Sequence, residues 1–127
     1  MKNNTLLVAA VLTVLSFPAL ATAAQAEVSY KKDVLPILHD YCLSCHQEGG
    51  KGYEKSGLNM STYESLMKGT KFGAVIKPGD SFTSIFIQVI EGRVHSSIKM
   101  PYGMSGGLAK DKIETLKKWV DQGAKEN

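Results

Sequence analysis

Apolar residues recur along most of this chain at helical spacing, and no run alternates in the manner of a half-buried strand. Four stretches stand out. Val34, Leu35, Ile37, Leu38 and Tyr41 form the first, and Tyr63, Leu66 and Met67 a shorter second. Phe82, Ile85, Phe86, Val89 and Ile90 make a wide apolar face in the third. Ile113, Leu116, Trp119 and Val120 make a stripe in the fourth. The pattern predicts an all-α fold of about four short helices.

Caps and breakers set the expected boundaries. Asp33 is a candidate N-cap for the first helix, which places Pro36 in its first turn, where a missing N–H costs little. A start at Ser29 would instead make Pro36 kink the helix. Gln47 to Gly57 is glycine-rich and charged and reads as a surface loop. Ser61-Thr62-Tyr63-Glu64 reads as a capping box with Ser61 as the cap, and Gly69 as the stop of that helix. Lys77-Pro78-Gly79-Asp80 reads as a turn, with Asp80 capping a helix from about Phe82 to Ile90 that Gly92 ends. Arg93 to Gly107 contains Pro101 and three glycines and reads as an extended loop. The last helix is expected from Lys110 to about Gln122, with Gly123 just beyond it and Trp119 packing on the helix before Cys42.

The start of the chain has a different character. Lys2-Asn3-Asn4, then Leu6 to Leu20, then the small residues Ala21-Thr22-Ala23 and Ala24-Gln25-Ala26 follow the layout of a secretory signal. Cleavage is expected after Ala26, leaving one domain over 27–127, in a periplasmic or equivalent extracytoplasmic space. The alternative is a retained N-terminal anchor, for which Thr13, Ser16 and Pro18 make the apolar run short. No further segment is apolar enough to span a membrane. Of the 15 Lys+Arg only Lys2 falls in the signal, and they face 12 Asp+Glu, a balance too mild and mixed for a nucleic-acid partner.

The chemistry is concentrated in Cys42-Leu43-Ser44-Cys45-His46, a C-x-x-C-H sequence that contains both cysteines of the chain. Two thiols three residues apart on one turn of backbone can bond both vinyl groups on one edge of a haem. The following His46 then offers an imidazole nitrogen to the iron as proximal ligand. A structural zinc site needs further ligands, and no second Cys pair exists to supply them. A thioredoxin-type pair needs a strand–helix–strand setting that the pattern does not offer. A structural disulfide leaves His46 unexplained. One covalently attached haem c is the expectation, and export suits it.

With these residues in view, the chain resembles class I-like monohaem c-type cytochromes, and in particular the planctomycete-type cytochrome c domains. The resemblance runs from Val28 to about Ala124. It rests on Asp33-Val34-Leu35-Pro36-Ile37-Leu38 before the haem motif, then Gly57-Leu58-Asn59-Met60-Ser61-Thr62-Tyr63, Lys77-Pro78-Gly79-Asp80, Met100-Pro101, and Ile113 through Ala124. It implies a small cytochrome c fold with terminal helices crossing beside one haem, and Met100 as the distal ligand. The chain departs from the family's usual pattern at Gln47, Ser81, Tyr102 and Ala109, none of which is a haem ligand.

The residues themselves also frame the sixth ligand. Met60 and Met67 sit in or beside an apolar helix and read as core filling. Met100 lies in a loop before a stiffening proline and is the first choice, with Met104 the second and His95, His39 or an open iron behind them. His95 reads as an exposed loop residue. His39 reads as a surface residue or a contact to a haem propionate. Two axial bonds and two thioethers suit a one-electron carrier between redox partner proteins, and no enzymatic constellation is visible. Two other classes fit the same residues: a haem sensor or small-ligand-binding protein with a labile distal site, and a haem subunit of a larger redox complex. Lys51, Lys55, Lys68, Lys71, Lys77 and Lys99 could form a basic docking collar, although acidic residues are interspersed.

Overall fold

The computed structural model describes residues 26–127. The expected signal at 1–26 therefore lies outside the described residues, apart from Ala26. Five α-helices occur among them, with no β-strand: α1 (Leu35–Tyr41), α2 (Lys51–Ser56), α3 (Tyr63–Lys68), α4 (Ile85–Glu91) and α5 (Lys110–Asp121). A π-helical turn, Tyr30–Val34, leads into α1, and a 3₁₀ turn, Ser96–Ile98, lies between α4 and α5. None of these helices is long and apolar enough to cross a membrane.

The first helical segment starts at Ser29 rather than Asp33. The Ser29 hydroxyl accepts from the Lys32 amide as N-cap. Pro36 then falls in the first turn of α1, where it has no N–H to offer the Lys32 carbonyl and its ring crowds that carbonyl. The chain answers with a wider turn: Val34 N–H bonds to the Ser29 oxygen at 3.2 Å and Leu35 N–H to the Tyr30 oxygen, both five residues back. The proline is absorbed as a π-turn instead of a sharp kink.

Three other expectations need correction. Gln47–Gly57 is not all loop, because Lys51–Ser56 forms α2, which buries none of its residues and so leaves no apolar periodicity. The capping box of α3 is shifted by one residue: Thr62 accepts from the Ser65 amide, and Ser65 reaches back to the Thr62 amide at 3.2 Å. Thr62 has the extended backbone a cap requires, and Ser65 performs the task expected of Glu64. Asp80 does not cap α4. It holds a preceding turn by accepting from the Thr83 amide and hydroxyl and from Lys77. Helix α4 therefore starts at Ile85, and Phe82, expected on its apolar face, is 73% exposed under the Arg93 guanidinium.

Helix α5 matches its expected span. Leu116, Trp119 and Val120 are buried, with Ile113 packed at the margin of the same core. The Trp119 ring lies 5.6 Å from that of Tyr30, and Tyr30 meets Tyr63 edge-on at 5.2 Å. This aromatic group joins the C-terminal helix, the turn before α1 and α3. Polar ties complete the closure. Trp119 Nε1–H donates to the Lys125 carbonyl, Tyr63 to that of Ala124, and the Val28 amide to the Gln122 side chain. The core also takes in Val34, Leu38, Met60, Leu66, Ile87 and Leu108.

Candidate functional site

Helix α1 delivers the C-x-x-C-H sequence as expected, on one helical turn. Cys42 N–H bonds to the Leu38 oxygen at 2.9 Å, and His46 N–H to the Cys42 oxygen at 3.0 Å. Both cysteines are free thiols in the structure. Cys42 is half-buried, and burial, followed by the neighbouring Cys45, pushes its thiol pKa up to about 11. Cys45 is exposed. The pair thus straddles the boundary between core and solvent.

His46 is only 8% exposed. Burial holds its imidazole below the usual pKa, while the Leu58 backbone pulls weakly the other way. The neutral ring is favoured, and this is the form that ligates metals. Its Nδ1 is buried and closes no hydrogen bond of normal geometry. It lies against the Leu58 backbone and beneath Gly52, so Nε2 is the ring nitrogen left to ligate a metal.

The backbone around His46 is tied on both sides. The Met60 amide donates to the His46 oxygen at 2.7 Å, and the Tyr53 amide to the Cys45 oxygen at 2.9 Å. Helix α2 therefore lies directly beneath the motif. Two glycines permit this approach. A Cβ at Gly50 would stand 2.4 Å from the Cys45 oxygen, and one at Gly52 would stand 2.8 Å from His46 Cε1. The sequence reading passed over both, treating Gly49-Gly50-Lys51-Gly52 as loop composition. Their position four and six residues after His46 was the available signal.

The two methionines of the long loop differ in setting. Met100 is partly buried against the hydrophobic core, and its amide donates to the Val89 oxygen of α4 at 2.9 Å. Met104 is 40% exposed. Of the histidine alternatives, His95 is exposed and hydrogen-bonded locally to Ser97, and His39 is exposed beside Asp40. Met60 is buried and Met67 partly buried in the core, as read from their helical setting. Lys77 pairs with Asp80, and the Lys99 stem packs against Gly92, while Lys51, Lys55 and Lys68 are exposed.

The donor set fits a haem c: two thiols and an imidazole on one turn, with a thioether available on a loop that packs on the same core. No group of three or more His, Cys, Asp or Glu side chains among the described residues could hold a bare metal ion. The family model described as planctomycete cytochrome C matches residues 42–101, a span that begins at Cys42 and ends one residue after Met100. No curated protein and no solved structure matches the chain. Over residues 42–101, with an all-helical fold around them, the chain is similar to the planctomycete cytochrome C family.

Proposed function

We propose that the protein is an extracytoplasmic one-electron carrier, with Cys42 and Cys45 as thioether anchors of a single haem c, His46 as proximal ligand and Met100 as distal ligand. When bound, haem c supplies reversible one-electron chemistry at its iron. The observation that carries the reading is the buried His46, held neutral by that burial, one residue after Cys45 on the same turn as both thiols.

The chain's own contribution is rigid placement. The turn Cys42–His46 fixes the thiols relative to the imidazole. Amides from Tyr53 and Met60 hold the carbonyls on either side of the His46 Cα. The Val89 carbonyl holds the Met100 backbone. Held ligands keep geometry constant between two oxidation states, which suits a carrier better than a catalyst that must open a coordination site. The exposed side of Cys45 marks the edge at which redox partner proteins would approach. An export signal at 1–26 agrees with haem attachment outside the cytoplasm.

The test is the far-red end of the ferric absorption spectrum of the haem-loaded protein. A methionine charge-transfer band is expected in the wild type, lost in Met100→Ala and retained in Met104→Ala. Loss in Met104→Ala alone would transfer the distal role to Met104. A high-spin spectrum without the band would refute the carrier reading in favour of a small-ligand-binding protein.

A further inference from the structure

The loop that carries Met100 leaves α4 at Gly92 and reaches α5 at Lys110, with only a three-residue 3₁₀ turn of regular structure between them. Such a segment offers few internal hydrogen bonds to fix one side chain. Its attachments are concentrated at the end of α4. Gly92 takes up the left-handed conformation that closes the helix, and the Arg93 amide donates back to the Gln88 oxygen at 2.9 Å. The Met100 amide returns to Val89 one residue further along α4. The Lys99 side chain runs past both ends of the loop: a Cβ on Gly92 would lie 3.2 Å from its Cε, and one on Gly107 would lie 3.6 Å away.

Glu91, the last residue of α4, joins these attachments to the rest of the fold. One carboxylate oxygen pairs with Lys117 Nζ of α5 at 2.9 Å, and the other with Arg93 Nε. Arg93 also donates from Nη2 to the Phe82 carbonyl at 3.0 Å and lies over the Phe82 ring. Lys117 has a second, longer partner in Glu114. The Glu91 side chain is only 19% exposed, so this pairing is screened less than an ordinary surface ion pair. A single carboxylate thus bridges the start of the Met100 loop to the C-terminal helix.

We propose that Glu91 is a positioning residue for Met100: by bridging Arg93 to Lys117 it fixes the base of the loop and holds the thioether on the iron. The inference rests on the reading that Met100 is the distal ligand. Glu91 touches neither the ligand nor the reacting centre. It sets the fraction of molecules in which Met100 stays in place. Any gain in the Met-off fraction raises the apparent affinity of the iron for an outside ligand in proportion.

The experiment titrates the ferric haem-loaded protein with imidazole and follows loss of the methionine band. Glu91→Gln keeps the side chain's size and removes its charge. Lys117→Met cuts the same bridge from the α5 side and stands in if Glu91→Gln folds poorly. Glu27→Gln is the control: it removes a different ion pair, to Lys125 Nζ at 2.7 Å, between the two ends of the domain. Thermal unfolding is recorded for all. The expected result is imidazole affinity raised roughly three- to tenfold in the two bridge variants and within about twofold of wild type in the control. If the wild type shows the band but the bridge variants match the control, the role of Glu91 is overturned and Met100 ligation stands. The role is equally overturned if affinity rises in all three in step with lost global stability. If the wild type has no band, Met100 ligation fails and the role of Glu91 fails with it.

Discussion

Gly52 offers the sharpest test of how the haem motif is supported. In the substitution Gly52→Ala the new carbon would lie 2.8 Å from His46 Cε1, 2.9 Å from the Cys45 oxygen and 3.0 Å from His46 Nδ1. Carbon atoms are comfortable at about 3.5–4.0 Å, so relief needs a shift of about 0.7 Å or more. Neither neighbour is free to give it. The Cys45 carbonyl is backbone and accepts the Tyr53 amide, and the imidazole is buried and tied by its own backbone at both ends. Two effects oppose each other. Alanine in place of glycine inside α2 gains at most about 1 kcal/mol of helix propensity. Overpacking against fixed neighbours costs about 1–3 kcal/mol. With no neighbour free to yield, the clash outweighs the gain, for a net loss of up to about 2 kcal/mol and a fall in Tm of up to about 10–15 °C for a domain of this size.

Gly106 supplies the internal comparison. A Cβ there meets nothing within 4 Å, so Gly106→Ala is expected to be neutral or to gain up to about 1 kcal/mol. The assay is denaturant unfolding of both haem-loaded variants, read by far-UV circular dichroism, with the yield of attached haem measured alongside. Gly52→Ala is expected to lose stability and to carry less haem, while Gly106→Ala does neither. A Gly52→Ala protein as stable and as fully loaded as Gly106→Ala would refute the claim that α2 is pressed against the imidazole.

Two further outcomes follow from the polar contacts. Hydrogen bonds from the Thr83 hydroxyl and amide, then from Lys77, hold the Asp80 carboxyl far below the usual carboxylate range. A folded pKa below the unfolded one means that the carboxylate stabilises the fold at neutral pH and that this contribution is lost as pH falls below about 4. Wild type should therefore exceed Asp80→Asn in urea midpoint at pH 7, with the gap narrowing at pH 3; a gap that widens in acid would contradict the assignment. Trp119→Phe removes the indole donor to the Lys125 carbonyl and part of the packing on Tyr30, and should cost about 1–2 kcal/mol in denaturant unfolding while leaving the haem spectrum unchanged.

Some of this architecture was open to reading in the residues. The stripe of α5 and the stops at Gly69 and Gly92 follow from periodicity and from glycine, and the structure keeps them. The C-x-x-C-H turn was legible because the chemistry admits so few alternatives. What escaped has physical causes. Helix α2 buries no side chain, so no apolar rhythm announces it, and its glycines imitate a loop. The cap of α3 was misplaced by one residue because Ser61 and Thr62 are both good caps and only the backbone angles choose between them. Phe82 counted as core because it continues an apolar series, yet the turn held by Asp80 and Ser84 delays the helix until the ring has already been turned outward.

The helices themselves explain why the site is held by ties that patterns do not reveal. Four of the five α-helices have six or seven residues, too few to be stable alone. Three of them are tied to something distant in sequence: α2 through the Lys71 amide on the Ser56 carbonyl, α3 through Tyr63 on the C-terminal segment, α4 through Glu91 and Lys117. Long-range single contacts of this sort leave no period in a sequence. They also make the site and the fold one cooperative unit. A change under His46 should therefore appear in ligand spectroscopy and in unfolding together, whereas a change at an open position such as Gly106 should weaken neither.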